Sequence, residues 1–127
     1  MEDYTQVVGS TISPRDAEWR EILRQDKSAK ERSAIPRAQM PQLDPSYRVT
    51  TMEAEVNQGL SEKQAVVEAS RCLDCPNPGC VTGCPVGINI PGFIKNIERG
   101  DFHQAAITLK ETSALPAVCG RVCPQEK

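Results

Sequence analysis

Apolar residues recur every three or four positions in two stretches of the second half of the chain. The positions that form these two stripes are Phe93, Ile94 and Ile97, and then Phe102, Ala105, Ala106 and Leu109. Residues three or four apart share one face of an α-helix, so the pattern predicts two amphipathic helices. Asn89 and Asp101 precede the two stretches as caps, and Gly100 ends the first helix. The first helix is predicted over 90–99 and the second begins at 102.

Capping signals predict further helices upstream. Ser13, followed by Pro14 and Asp16, is typical of a helix start, and it predicts a helix that continues to about residue 33. Ser61 and Gln64 form a second capping box, which predicts a helix over 62–71 that ends next to Cys72. A final helical turn is predicted from Leu115 onward.

Prolines interrupt the chain between these helices. Pro36, Pro41 and Pro45 lie within residues 34–50 and predict an extended arm, because proline disfavours a regular helix. A short helix is predicted over 52–58, ended by Gly59. We find no period-two alternation that would indicate a strand, so the predicted fold class is all-α. Residues 1–50 are expected to form an N-terminal helix and arm, and residues 51–127 a separate domain.

Charge excludes some classes of partner. The net charge of −2 and the pI of about 5.4 argue against nucleic acid. The first nine residues lack a secretory signal and no apolar run approaches the ~20 residues of a membrane span, which favours a cytoplasmic protein without a membrane partner.

Acidic residues alternate with the basic residues of one early stretch, so these basic residues are expected to lie on a solvated helix face. The basic residues are Arg15, Arg20, Arg24, Lys27, Lys30, Arg32 and Arg37.

Six cysteines occupy the last part of the chain and indicate metal chemistry. Their positions are Cys72, Cys75, Cys80, Cys84, Cys119 and Cys123. The first four have the spacing Cys-x2-Cys-x4-Cys-x3-Cys-Pro, which is close to the ferredoxin pattern for iron–sulfur ligation. Gly79 and Gly83, each directly before a cysteine, are expected to let backbone N–H groups turn toward sulfur.

Three alternatives for the cysteines stay open. A disulfide framework would suit a secreted protein, and four thiolates from Cys72, Cys75, Cys80 and Cys84 could hold zinc. A Cys-x2-Cys redox dithiol is the third alternative, although Cys72 ends a predicted helix rather than beginning one. The spacing favours iron–sulfur binding over all three.

Catalysis by this chain alone is not expected. His103 is the single histidine and is predicted to be a surface or partly buried side chain rather than a ligand or a proton carrier. No nucleophile with a partner base is visible. The chain has no Gly-x-Gly-x-x-Gly, so a nucleotide-binding turn is missing. Arg121, between the last two cysteines, could raise a cluster's reduction potential or form a structural salt bridge.

Residues 61–125 resemble the N-terminal iron–sulfur domain of the small (beta) subunit of NADPH-dependent glutamate synthase, a module also present in dihydropyrimidine dehydrogenase. The blocks that carry the resemblance are 69–75, 83–86, 89–91 and 115–125. The resemblance implies an α-helical ferredoxin fold whose two [4Fe-4S] clusters relay electrons between a flavin and a partner. It also implies which cysteines hold them: Cys72, Cys75 and Cys80 for one cluster, Cys84 and Cys123 for the other. Cys119 is not a ligand in at least one relative.

The sequence departs from this family after Pro124. The family pattern continues with another cysteine pair and then with FAD- and NADPH-binding domains. We therefore expect a domain truncated at its C-terminal end, with incomplete clusters and with its flavin and NADPH domains and its large glutamate synthase-type subunit as partners. The competing hypothesis is a zinc-bound or metal-free interaction module without redox activity.

Overall fold

Helices make up the regular structure in residues 12–124, which are the residues that the computed structural model describes. They are α1 Glu18–Asp26, α2 Ala29–Ala34, α3 Pro45–Arg48, α4 Glu62–Ala69, α5 Gly79–Thr82, α6 Ile90–Glu98, α7 Phe102–Lys110 and α8 Pro116–Val122. This part of the chain contains no strand, and its only β-type pairing is an isolated antiparallel bridge between Gln42 and Asn57. The all-α prediction is confirmed for the described residues.

The single helix predicted from Ser13 to about residue 33 is wrong in two ways. Helix α1 begins at Glu18, because the Ser13 hydroxyl is buried and shares a hydrogen bond of 2.8 Å with the Thr108 hydroxyl. The chain then breaks before α2, where Ser28 and Glu31 form a capping box. This box supplies a new helix start at the point where the prediction had the helix continue.

The arm before α4 also differs from the prediction. Asp44 caps the short helix α3, whose first residue is Pro45, inside the segment predicted to be extended. The helix predicted over 52–58 is absent, because its backbone pairs with the arm instead. The Leu43 N–H donates to the Val56 carbonyl at 2.8 Å, and the Gln58 N–H donates to the Pro41 carbonyl at 2.7 Å.

The predicted caps of the three longer helices in the second half are confirmed. Ser61 accepts from the Gln64 N–H at the start of α4, Asn89 from the Gly92 N–H at the start of α6, and Asp101 from the Gln104 N–H at the start of α7. Gly92 has a packing reason to be glycine. A Cβ there would lie 2.5 Å from the Asn89 amide nitrogen, so a larger residue would displace the cap.

Polar side chains fill much of the interior. Helix α6 packs against α4 and α7, but the buried apolar residues are small in number and size. They are Ala69, Val81, Ile88 and Ala105. Buried polar and charged side chains outnumber them, and every buried side-chain nitrogen and oxygen of residues 12–124 has a hydrogen-bond partner. A polar interior is stable only when its groups are paired in this way.

Within the described range, none of the helices combines the length and the apolar character needed to cross a membrane.

Candidate metal centre

The turn between Cys72 and Cys75 folds back on itself directly after α4. The Cys72 N–H still donates to the Ala69 carbonyl at 3.1 Å, as in the last turn of a helix. Asp74 then adopts a left-handed backbone conformation with φ of 52°, which is uncommon for a residue with a side chain. In this conformation the Asp74 N–H donates to the Cys72 sulfur at 3.4 Å. Amide hydrogen bonds to sulfur are a means by which proteins stabilise thiolate ligands and set the potential of a cluster.

Burial and neighbouring groups shift the pKa of two of the predicted ligand cysteines, Cys72 and Cys80. Burial raises the pKa of Cys72, and Cys75 raises it further, while the Asp74 N–H and the Lys95 ammonium act in the opposite direction. Burial also raises the pKa of Cys80, and both Cys72 and Cys75 add to the increase. The N–H groups of Val81 and of Cys80 itself oppose that increase. Cys72, Cys75 and Cys80 therefore share one neighbourhood, in which thiolates repel one another unless a cation offsets their charge.

The other three cysteines follow this segment in the chain. Cys84 is half-buried just after α5, and Cys123 is exposed at the end of α8. Cys119, within α8, has its sulfur 3.6 Å from the Ser113 hydroxyl. All these sulfurs are free thiols. Residues 12–124 contain no group of three His, Cys, Asp or Glu side chains arranged to hold a single metal ion, so the predicted ligand set stays a prediction.

A buried carboxylate lies in the middle of the Cys72–Cys75 turn. Asp74 is fully buried, and its carboxylate accepts hydrogen bonds from two arginines of α1. Arg20 approaches it in a forked arrangement, with its Nε 3.3 Å from Oδ2 and its Nη2 on Oδ1. The Arg24 Nη1 lies 2.7 Å from Oδ2. Burial alone would raise the pKa of Asp74, but the hydrogen bonds and charges of the two arginines outweigh it and hold the pKa below its ordinary value.

A second buried ion network supports the same turn from α6. Glu98 accepts from the Lys95 ammonium at 2.6 Å and from the Arg32 guanidinium at 2.8 Å. The same two cations also hold backbone carbonyls, since Lys95 donates to the Cys72 carbonyl at 2.9 Å and Arg32 to the Ser70 carbonyl at 2.6 Å. The network thus ties the end of α4 and the first cysteine to α6.

The prediction of a solvated basic face is wrong for Arg20 and Arg32. Each is only 2% exposed, because each is paired with an acidic residue far away in the sequence. Asp74 and Glu98 were missed as partners. The sequence did contain one signal for such a partner, namely Asp74 inside the cysteine motif. Asp74 is not a predicted ligand, so its carboxylate needs a cationic partner when it is buried.

Two other predicted side chains lie at the surface. His103 is exposed, as predicted. Arg121 forms an ion pair with Glu55, whose Oε1 is 2.6 Å from the Arg121 Nε, and both side chains are more than half exposed. This contact joins α8 to the segment between α3 and α4.

Comparison with known proteins identifies the module to which this region is similar. The family model described as dihydropyrimidine dehydrogenase domain II, 4Fe-4S cluster, matches residues 48–127. The glutamate synthase [NADPH] small chain of Escherichia coli K12 is 45% identical over 73 residues, which cover 58% of this chain and 16% of the relative. The corresponding small chain of Halomonas elongata is 37% identical over 89 residues, or 70% of this chain and 19% of the relative.

A second kind of relative matches equally well. The NAD-dependent dihydropyrimidine dehydrogenase subunit PreT of Salmonella typhimurium is 44% identical over 73 residues, which cover 58% of this chain and 18% of the relative. The chain therefore spans less than a fifth of the length of these relatives.

Proposed function

Since this chain belongs to the dihydropyrimidine dehydrogenase domain II family of 4Fe-4S domains, we propose that it is an electron-transfer module of a glutamate synthase-type oxidoreductase. In this proposal Cys72, Cys75 and Cys80 hold one [4Fe-4S] cluster. Cys84 and Cys123 contribute ligands to a second. A bound cluster supplies reversible one-electron oxidation and reduction.

The observation that carries the proposal is the shared neighbourhood of Cys72, Cys75 and Cys80. Their donor chemistry fits an iron–sulfur cluster, because three thiols come from one short segment and amide N–H groups lie near the sulfurs of Cys72 and Cys80. The four thiolates of a cube bind four different irons, so they lie farther apart than the ligands of a single ion. An arrangement unsuited to a single ion is therefore compatible with a cluster.

The residues of the chain would bind and protect the cluster rather than react. Cys72 and Cys80 must each lose a proton on binding iron, because only thiolate is a ligand. Burial raises the pKa values of both thiols, so at neutral pH the positive charge of the iron is needed to favour the thiolate. The Asp74 N–H then donates to a sulfur that carries negative charge, which strengthens the hydrogen bond.

The names of the relatives support NADPH and a larger subunit as proposed partners. The glutamate synthase small chain of Escherichia coli K12 and the PreT subunit of Salmonella typhimurium match this chain at 45% and 44% identity. We propose a flavin- and NADPH-binding region as electron donor and a large glutamate synthase-type subunit as acceptor. We also propose the α-helical ferredoxin fold for residues 51–127, and a cytoplasmic location, where the free thiols of this chain would stay reduced.

Reconstitution tests the proposal directly. The chain is purified without oxygen and incubated with iron, sulfide and a small thiol that can complete the ligand set. We expect a brown protein that contains both iron and acid-labile sulfide, with an electron paramagnetic resonance signal after reduction by dithionite. Changing Cys72, Cys75 or Cys80 to serine should remove the iron and sulfide of one cluster.

Cys119→Ser is the matched control, because Cys119 lies in α8 near Ser113 and is not among the proposed ligands. It should bind as much iron and sulfide as the unchanged chain. A colourless protein that takes up one zinc per chain and no sulfide would overturn the proposal in favour of a metal-stapled interaction module.

A further inference from the structure

The segment that precedes the family match contacts the cysteine turn directly, although the two are far apart in the sequence. Residues 12–34 lie outside the matched range of 48–127. Even so, three arginines of this segment donate to a single residue of the cysteine motif, Asp74. They are Arg15, Arg20 and Arg24.

These arginines hold both the backbone and the side chain of Asp74. The Arg15 Nε donates to the Asp74 carbonyl at 3.1 Å, while Arg20 and Arg24 hold the carboxylate. The left-handed conformation of Asp74 is uncommon for a residue with a Cβ, although Asp adopts it more readily than most, and contacts from its surroundings stabilise it. The contacts from Arg15, Arg20 and Arg24 hold Asp74 in place here.

The arginines are themselves anchored. Arg20 donates to the Ser13 carbonyl at 2.6 Å, and Arg24 to the Arg15 carbonyl at 2.9 Å. Ser13 is in turn hydrogen-bonded to Asn96 of α6 and Thr108 of α7, each at 2.8 Å. Arg20 is thus tied through Ser13 to α6 and α7, and Arg24 is tied to the segment just before α1.

We propose that Arg20 and Arg24 are positioning residues for the cluster held by Cys72, Cys75 and Cys80. By fixing Asp74 in its left-handed conformation, they keep its N–H on the Cys72 sulfur and set the separation of Cys72 from Cys75. The role assigned here rests on the proposed function, because it requires a cluster at these cysteines. It makes helix α1 part of the cluster-binding unit, although α1 lies outside the family match.

Charge gives this role a signature that a purely structural contact would lack. The guanidinium groups of Arg15, Arg20 and Arg24 and the one carboxylate of Asp74 leave two net positive charges beside the turn. Reduction adds negative charge to a cluster, so nearby positive charge favours the reduced form. Arg24→Gln should therefore shift the reduction potential downward, and Asp74→Asn, which removes the negative charge, should shift it upward.

The experiment compares four variants of the full chain with the unchanged protein. They are Arg24→Gln, Arg24→Lys, Asp74→Asn and Lys27→Gln. Lys27→Gln is the matched control, since it removes a positive charge directly after α1 whose side-chain partner is the exposed Asp26. Arg24 is the better target than Arg20 because it is partly exposed, which makes a folded variant easier to obtain.

Each reconstituted variant is titrated with reductant and followed by electron paramagnetic resonance. We expect opposite shifts of potential for Arg24→Gln and Asp74→Asn, and no shift for Lys27→Gln. Arg24→Lys should restore the potential, because it keeps the positive charge. Shifts of the same sign for Arg24→Gln and Asp74→Asn, or no shift in either, would overturn the proposal.

A second measurement needs no cluster and covers variants that fail to take up iron. The iron-free chains are treated with iodoacetamide, and the alkylation of each cysteine is followed by peptide mass spectrometry, with the exposed Cys123 as internal reference. In Arg24→Gln the cysteine turn is held less firmly and should open more often. We therefore expect Cys72 to react about tenfold faster in Arg24→Gln than in Lys27→Gln. Equal rates at Cys72 in a variant with unchanged circular dichroism would overturn the positioning role.

The two measurements separate the two proposals. If the unchanged chain takes up no iron or sulfide, the proposed function fails, and with it the assignment to a cluster. If iron and sulfide are bound but Arg24→Gln matches Lys27→Gln in both potential and Cys72 reactivity, only the positioning role fails.

Discussion

Single buried charges determine how the cysteine turn is held. Glu98 is the clearest case, because its carboxylate is 4% exposed and lies between the ammonium of Lys95 and the guanidinium of Arg32. Both cations also hold carbonyls at the end of α4 and at Cys72. A buried ion network of this kind is stable only while every member keeps a partner.

Glu98→Gln should therefore destabilise the iron-free chain strongly. The change leaves two buried cations facing a neutral amide, and removal of one member of a buried pair costs about 3 kcal/mol or more. We expect a lower urea midpoint, measured by circular dichroism at neutral pH. Asp26→Asn is the control, because Asp26 pairs with Lys27 at the surface and its removal should change the midpoint little. Similar midpoints for the two variants would show that the network does not carry this stability.

At the scale of helices, local capping signals decide most boundaries. Ser61, Asn89 and Asp101 were predicted as caps and make the expected hydrogen bonds, because a cap needs only a partner two or three residues away. Ser13 carries an equally good local signal, but its hydroxyl is bonded to Thr108 instead. The capping box of Ser28 and Glu31 was visible in the sequence and was overlooked inside a longer predicted helix.

The two capping boxes should respond differently to pH. Hydrogen bonds from the Ser28 backbone and hydroxyl lower the pKa of Glu31. The ionised form is thus favoured in the folded state. This contribution to stability is complete above the unfolded-state pKa of about 4.3 and is lost as the pH falls through the lower, folded-state value. We expect Glu31→Gln to lower the urea midpoint at pH 7, and we expect its difference from the unchanged chain to shrink at an acidic pH below about 4.3.

Ser61→Ala serves as the comparison for this prediction. Its box uses Gln64, which does not ionise, so loss of the cap should cost about 1 kcal/mol at both pH values. A pH-dependent cost for Ser61→Ala, or a constant difference for Glu31→Gln, would contradict the assignment.

At the scale of the whole molecule, the N-terminal segment and the cysteine region share buried contacts. The Arg99 guanidinium of the turn after α6 stacks on the ring of Trp19 in α1, 3.8 Å from its centroid. Ser13, Arg20 and Arg32 add buried hydrogen bonds to the region after residue 60. The division of the chain into 1–50 and 51–127 stays a prediction.

Trp19 offers a direct test of cooperativity, because it is the single tryptophan of the chain. If residues 12–34 unfold together with the cysteine region, Trp19 fluorescence and far-ultraviolet circular dichroism should report the same urea midpoint. We expect coincident transitions, since separating the two parts would expose paired buried charges. A fluorescence transition at clearly lower urea would show that α1 detaches first and that the two parts are independent units.

The sequence by itself determined the helical class, most caps of the second half and the family of the cysteine region. These properties depend on residues within a few positions of one another, or on the spacing of one motif. Only the tertiary structure decided that Asp74 is buried by Arg20 and Arg24, and that Glu98 joins Arg32 to Lys95. Arg20 and Asp74 are 54 positions apart, and Arg32 and Glu98 are 66 apart. No local pattern encodes which of many alternating charges will meet across such distances, because the pairing is set by how the helices pack.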